Sequence, residues 1–215
     1  MEISSKEILR YLGYRDAAAD EMTASLITEL IDLFTTNVVP KSVYGIWDCQ
    51  IASSTVMISG ITAHSQNLAR HLAGCRRAAL LAATIGAEAD TLIRRFSVQD
   101  MEKAVIAQAI CAAMIEAYCD EVESELAQKP EFDGLRPTAR FSPGYGDFDI
   151  VHQKDILNML HCSVIGLTLT DGYMLIPSKS VTAVIGFLPE KKCAAEVMGK
   201  CDRCADTQCK FREAV

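Results

Sequence analysis

The nine residues RFSPGYGDF, at positions 140–148, place a cation, a turn and an aromatic ring side by side. Pro143 presets φ at the second position of a type II turn, and Gly144 supplies the positive φ that the third position needs. Arg140 carries a fork of N–H donors suited to a carboxylate or a phosphate, and a glycine lets a flat ligand approach the backbone. The segment alone is compatible with either a small-molecule site or an ordinary surface turn.

Glu116 lies within a long helical pattern at residues 100–128. Seven residues, nearly two turns, separate it from Ala109, so both are expected on the face that meets the sheet, together with Met101 and Val105. A carboxylate among small side chains is costly unless something pairs with it. Two interpretations are open. Glu116 is either a functional acid or the start of an acidic row, with Asp120 and Glu123, where the helix emerges into solvent.

Four of the nine cysteines lie close together near the C-terminus, with the spacing C-x7-C-x2-C-x4-C. A C-x-x-C pair can place two thiolates on one metal, and four soft ligands suit zinc or an iron–sulfur cluster. The spacing matches neither a zinc ribbon nor a bacterial ferredoxin run. A redox-active thiol pair and a disordered tail therefore remain alternatives to a metal site. The candidate ligands are Cys193, Cys201, Cys204 and Cys209.

The other cysteines and the histidines show no ligand spacing. Five cysteines are scattered over apolar segments and are predicted to be small core residues. His64 and His71 are seven apart, which is more typical of packing or surface positions than of metal binding. The five predicted core cysteines are Cys49, Cys75, Cys111, Cys119 and Cys162.

Apolar periodicity and turn residues predict the elements that must position these side chains. Helical and extended segments are mixed along the chain, which favours an α+β fold with one central sheet. A hairpin is expected to turn at Asp171-Gly172. Helices are predicted at residues 4–11, 16–34, 65–72, 87–96, 100–128 and 153–160, strands at 42–51, 55–60, 78–86 and 180–188, and a loop at 129–139.

The composition narrows the class of protein. The chain has 215 residues, half of them hydrophobic, and a formal net charge of −7. Its acidity argues against a nucleic-acid surface, and no apolar run approaches the roughly 20 residues of a membrane span. Nine cysteines without a secretory segment indicate a reducing compartment. We expect a soluble, cytoplasmic, single α+β domain at 1–190, followed by a cysteine-rich tail at 191–215.

These segments resemble the activation domain of vitamin B12-dependent methionine synthase. RFSPGY matches the R-x-x-x-G-Y signature of that family, and IEAY upstream is similar to the helix that precedes it. GLTLTDGYMLIPSKSVTAVIG is similar to the hairpin and strand that follow. The resemblance is continuous over residues 110–187, and the first hundred residues resemble short stand-alone versions of the domain through RYLGY and TIG. It implies a mostly antiparallel central sheet flanked by helices.

The resemblance implies binding of S-adenosylmethionine, whose methyl group, together with one electron, restores cobalamin that has lapsed to the cob(II) state on a partner module. Arg140 is then expected to meet the methionyl carboxylate, and Glu116 matches a helix acid near the same pocket. The implied role is an accessory methyltransferase component that reactivates a cobalamin-dependent methyltransferase of the methionine synthase type. It would act only with that corrinoid-carrying partner and an electron donor. The turn residues expected to line the adenosine are Ser142, Gly144 and Tyr145.

The chain also departs from the family pattern. For the acidic ligand-binding residue near the start of the family domain, Asp48 is the candidate here. Lys192-Cys193 replaces paired tyrosines after the last strand, so the ligand's amino group and ribose are expected to be held differently. The homocysteine, folate and cobalamin modules needed for methionine biosynthesis are not found, so any corrinoid is expected on a partner.

Two other functions remain open from the sequence. The first is a non-catalytic S-adenosylmethionine-binding module that regulates or scaffolds a corrinoid protein. The second is an electron-transfer protein centred on the cysteine tail.

Overall fold

A computed structural model describes residues 3–14 and 19–189 of the chain. Within them, the helices follow the order predicted from periodicity. Two short 3₁₀ turns, Pro130–Phe132 and Cys162–Ile165, add to the set. The helices are α1 (Ser5–Tyr11), α2 (Glu21–Asn37), α3 (Gln66–His71), α4 (Ala87–Gln99), α5 (Met101–Ala127) and α6 (His152–Met159).

The strands of the described residues form a six-stranded sheet and a separate two-stranded hairpin, β6-β7. The larger sheet has the order β3-β2-β1-β4-β8-β5, and every neighbouring pair is antiparallel. The predicted α+β class with a central antiparallel sheet is therefore confirmed. The strands are β1 (Lys41–Ala52), β2 (Thr55–Ile58), β3 (Ile61–His64), β4 (Arg77–Thr84), β5 (Leu135–Pro137), β6 (Thr168–Leu169), β7 (Leu175–Ile176) and β8 (Ser180–Pro189).

β4 lies in the middle of the larger sheet, between β1 and β8, and is buried along nearly all of its length. Its side chains alternate between two cores, with Leu81 in one and Leu80 in the other. A strand covered on both faces has a nearly continuous apolar sequence rather than an alternating one. This explains why AALLAATIG, whose alanines also suit a helix, forms a strand here.

Helices cover both faces of the sheet. On one face, α1, α2, α4 and α5 build a core around side chains such as Phe34, Leu81 and Ile110. On the other, α3, α6 and the β2-β3 hairpin build a second core that includes Leu68 and Leu80. As a result, α5 and α3 lie on opposite faces of the same sheet.

Two helix predictions need correction. α2 begins at Glu21 rather than at residue 16, because the Asp20 carboxylate accepts the Thr23 N–H at 2.9 Å and caps the helix there. In α5, Met101 and Val105 were expected on the packed face but are exposed. The helix is instead buried through other side chains, which are distributed from Ala104 to Leu126.

The strand prediction missed two elements. β3 follows β2 through a tight turn in which Ser59 and Gly60 both have positive φ. The predicted loop at residues 129–139 contains β5, which pairs with the end of β8. The turn at Asp171-Gly172 is confirmed, since it joins β6 to β7. Among the described residues, no helix has the length and hydrophobicity that a membrane crossing requires.

Candidate functional site

The segment after β5 continues along the edge of β8 and contains a β-bulge next to Arg140. The Thr138 N–H donates to the Gly186 carbonyl at 2.8 Å, and further on Phe141 exchanges two backbone hydrogen bonds with Val184. Phe141 is three positions after Thr138, whereas their partners on β8, Val184 and Gly186, are only two positions apart. The segment therefore contains one extra residue. A bulge at a sheet edge redirects a side chain, and Arg140 here reaches across to α5.

Arg140 is bonded to three carboxylates of α5. Its Nη2 donates to Glu116 at 2.6 Å, and its Nη1 donates to Asp120 at 2.8 Å and Glu123 at 2.6 Å. Residues four and three apart share one face of a helix, so the three acids form a stripe. The Arg140 side chain is only 5% exposed. We call these four residues the Arg140 cluster.

The structure corrects the expected surroundings of Glu116. Its side chain is 40% exposed and already paired with Arg140, not enclosed among small residues. The acidic row with Asp120 and Glu123 is present, and it emerges into solvent at Asp120, which is 67% exposed. A contact between Glu116 and a ligand stays a prediction.

Charges within the cluster act on neighbouring groups. Burial alone would lower the pKa of Arg140, but the carboxylates, Glu123 foremost among them, raise it further above its ordinary value. The Arg140 charge is therefore fixed at any physiological pH. The Cys119 thiol lies fully buried beside the cluster, and burial raises its pKa to about 12, so it is a neutral core group.

The Ser142–Tyr145 turn directly follows the bulge. The Tyr145 N–H donates to the Ser142 carbonyl at 3.1 Å, and Gly144 has a φ of +94°. This is the geometry of a type II turn, as the sequence predicted. The Gly144 N–H donates to the Phe148 carbonyl at 2.7 Å, which closes the segment into a compact loop. A Cβ at Gly144 would lie 3.1 Å from the Ile150 side chain, so the position has little spare room.

Two tyrosines lie near the exposed edge of the cluster. The pKa of Tyr145 is raised, first by partial burial and then by the charge of Glu116. The pKa of Tyr11, from the RYLGY segment, is raised by the same two causes in the same order. Tyr145 nevertheless remains 57% exposed, and its ring meets Phe141 edge-on at 6.0 Å. The predicted residues Glu116, Arg140 and Tyr145 therefore lie together.

Two other sets of predicted residues do not join this group in the described structure. Asp48 lies on β1 opposite Arg77 of β4, and the Arg140 segment runs beyond β8. Three strand spacings, roughly 14 Å, therefore separate them. The tail cysteines, Cys193, Cys201, Cys204 and Cys209, lie outside the described residues, as does Lys192. The other five cysteines are buried, as predicted.

Sequence reasoning missed the side chains that hold the turn from the other face of the sheet. Asp147 accepts hydrogen bonds from three groups in residues 65–67, and His71 contacts the backbone just before Arg140. Asp147 is part of the motif itself. Its partners are some 80 residues away in sequence, and only the fold brings them together.

Comparison with known proteins identifies the family. Residues 68–206, which include the turn and all of α5, match the family model described as "Vitamin B12 dependent methionine synthase, activation domain". The match covers well over half of the chain, so the chain belongs to this family. A search of curated proteins finds no match.

A solved structure of similar fold is the "Crystal Structure of the MetH Reactivation Domain bound to AdoHcy". The two share 15% sequence identity and superimpose with a TM-score of 0.64, over 88% of this chain and 71% of that one. At this level of identity, the likeness establishes the fold.

Proposed function

We propose that this chain binds S-adenosylmethionine at the Arg140 cluster and the Ser142–Tyr145 turn, and that it serves to reactivate a cobalamin-dependent methyltransferase. Family membership and a structural relative solved with AdoHcy support the ligand class. The observation that carries the proposal is the position of Arg140. Arg140 pairs with the carboxylates of α5 and lies directly beside a turn that contains a glycine and an exposed tyrosine.

The charge of the cluster suits this ligand. One guanidinium and three carboxylates leave a local formal charge of −2, and Glu116 and Asp120 both reach solvent. S-adenosylmethionine carries a sulfonium and an ammonium group, so its positive end is attracted to the exposed acids. A positively charged ligand therefore offsets the repulsion among carboxylates on one helix face.

The remaining parts of the ligand have matching groups. Arginine has five N–H donors, and the three hydrogen bonds of Arg140 within the cluster use three of them. The other two are not used by these carboxylates, and we propose that they meet the ligand carboxylate. The small Gly144 and the exposed ring of Tyr145 suit the flat adenosine, and the Ser142 hydroxyl is next to them.

Bound S-adenosylmethionine would supply the methyl group, and an electron donor would reduce cob(II)alamin on the partner protein. The role of this chain is to bind the donor, orient it and present it to the partner's corrinoid. Because the chemistry needs the corrinoid, the proposed partner is a cobalamin-binding methyltransferase.

We also propose that the tail cysteines bind zinc or an iron–sulfur cluster. Four thiols within 17 positions support this, and an iron–sulfur cluster would suit a process that consumes an electron. Metal analysis of anaerobically prepared protein, compared with a variant that has serine at all four positions, tests it. A colourless wild type without iron or zinc contradicts it.

Titration calorimetry tests ligand binding. We expect wild type to bind S-adenosylmethionine in the micromolar range and Arg140→Ala to bind far more weakly. No heat with wild type, or equal affinity in the variant, would remove the basis of the proposal. A second assay adds a corrinoid protein and a reductant and follows formation of methylcobalamin. Binding without methylcobalamin would instead indicate a regulatory or scaffold module.

A further inference from the structure

We propose that α3 is a positioning element for the ligand site, and that Asp147 and His71 hold the Arg140 segment against it at both ends. This inference rests on the proposed function, because the segment between these two residues contains the proposed ligand contacts. α3 lies on the face of the sheet opposite α5. The α3 helix therefore holds the segment on one face of the sheet, and Arg140 holds it on the other face, where α5 lies.

Asp147 holds the C-terminal end of the segment. Its Oδ2 accepts the Gln66 N–H at 2.8 Å, and its Oδ1 accepts the Asn67 N–H at 3.0 Å and the hydroxyl of Ser65. Ser65 is 1% exposed and also accepts the Leu68 N–H, so it cannot shift without breaking its own helix cap. These bonds join Asp147 to the first turn of α3.

His71, the last residue of α3, holds the N-terminal end. Its Nε2 lies 2.7 Å from the Ala139 carbonyl, which can only accept, so Nε2 carries the proton and donates. The same nitrogen lies 3.0 Å from the Thr138 hydroxyl. Ala139 immediately precedes Arg140 within the bulge, so this bond acts on the backbone that directs the arginine.

Contacts between the two ends keep the segment close to the helix. The His71 and Phe141 rings lie 4.9 Å apart. At the other end, a Cβ on Gly146 would collide with the Asn67 side-chain amide, so Gly146 packs directly on α3. The helix therefore contacts the segment on both sides of the Ser142–Tyr145 turn. An ordinary helix cap would need only one of these contacts.

The first test replaces Asp147 by Ala and by Asn, with Asp20→Ala as the matched control. Asp20 caps α2 through Thr23, and α2 packs on the face of the sheet opposite α3. We expect amide exchange in residues 141–148 to become about tenfold faster in Asp147→Ala and less so in Asp147→Asn. We expect affinity for S-adenosylmethionine to fall about five- to tenfold. Asp20→Ala should change neither quantity.

The second test uses His71→Gln and His71→Leu. A glutamine amide can donate from nearly the same place, so His71→Gln should keep most of the affinity, and His71→Leu should lose about fivefold. Equal affinity of His71→Leu and wild type overturns the role of His71. Unchanged exchange in both Asp147 variants overturns the role of Asp147. If exchange rises but affinity does not, Asp147 supports the fold without positioning a ligand contact.

The two proposals fail in different ways. Absence of binding by wild type contradicts the proposed function, and in that case amide exchange alone decides whether α3 holds the segment. Binding by wild type that is insensitive to every α3 substitution keeps the proposed function and overturns the positioning role.

Discussion

Arg140 donates from Nη2 to the Glu116 carboxylate at 2.6 Å, across 24 residues of sequence. This bond joins the bulged segment to the middle of α5, so the residues predicted from the motif to bind a ligand also hold two elements together. A charge removed at either residue is therefore expected to act on both stability and binding. Removing the charge of Arg140 should cost more stability than removing that of Glu116, because Arg140 is buried and Glu116 is partly exposed.

Glu116→Gln is expected to weaken S-adenosylmethionine binding more than it weakens the fold. The amide keeps the shape and a hydrogen-bond acceptor for Arg140, which retains Asp120 and Glu123 as charged partners. A partly exposed ion pair contributes about 1 kcal/mol or less, so the free energy of unfolding should change little. Loss of the charge should weaken binding by about 1–3 kcal/mol, or roughly five- to 150-fold. Thermal melts with and without the ligand measure both effects.

Glu125→Gln is the matched control, because it removes one acid from an exposed position of the same helix. It should melt and bind like wild type. A ligand-induced shift in melting temperature that is unchanged in Glu116→Gln would remove Glu116 from the site.

Arg140→Ala should destabilise the protein by about 2 kcal/mol at neutral pH. This is less than the roughly 3–5 kcal/mol expected for breaking a fully buried pair, because two of the three carboxylates stay solvated. Arg140→Lys keeps the charge but lacks the planar fork, so its stability should fall between those of wild type and Arg140→Ala. Denaturant unfolding at neutral pH compares the three proteins, and wild-type stability of Arg140→Ala would contradict a structural role for its ion pairs.

Much of the fold follows from local sequence signals. The long α5 pattern begins beside Asp100, whose carboxylate accepts the Lys103 N–H at 3.2 Å. The Pro143-Gly144 pair favours a type II turn, because proline fixes φ at the second position and glycine accepts a positive φ at the third. These features were predicted because each depends on neighbours within a few positions.

The rest depends on pairings between distant parts of the chain. Whether Glu116 faces solvent or sheet is decided by how α5 lies on β4 and β8, and periodicity alone put Val105 on the wrong face. The bulge at Arg140 has no sequence signature, since it results from the register between its segment and β8. The motif alone indicates no role for Asp147, because its hydrogen-bond partners in the first turn of α3 are brought to it only by the fold.

Stability should fall in acid partly through Asp147. Its pKa lies below the ordinary value of 3.8, chiefly because the Ser65 hydroxyl donates to it, with further donation from backbone N–H groups. A carboxylate with a lowered pKa in the folded state stabilises the fold above its unfolded pKa, and this contribution is lost as pH falls through the folded value. Asp147→Asn should therefore give a flatter stability curve below about pH 4 than wild type.

Asp20→Asn should flatten the same part of the curve, because the pKa of Asp20 is also lowered, first by the Thr23 backbone N–H. The two variants should differ in ligand binding, which only Asp147→Asn affects. Urea unfolding at a series of pH values provides the comparison, and a wild-type slope in Asp147→Asn would contradict the assigned hydrogen bonds.

Gly144→Ala should impair both the fold and the binding site. Gly144 has a φ of +94°, a conformation that costs alanine about 1–2 kcal/mol, and the new methyl would press against Ile150 at 3.1 Å. Gly60→Ala is the matched control: its φ of +95° is nearly the same, and a Cβ there has no neighbour within 4 Å. Both variants should lose about 1–2 kcal/mol in denaturant unfolding from the backbone alone, and Gly144→Ala somewhat more. Only Gly144→Ala should weaken S-adenosylmethionine binding in calorimetry, because the contact of its methyl with Ile150 shifts the turn on which the adenosine is proposed to lie. Equal affinity in the two variants would show that the ligand does not approach the turn at this glycine.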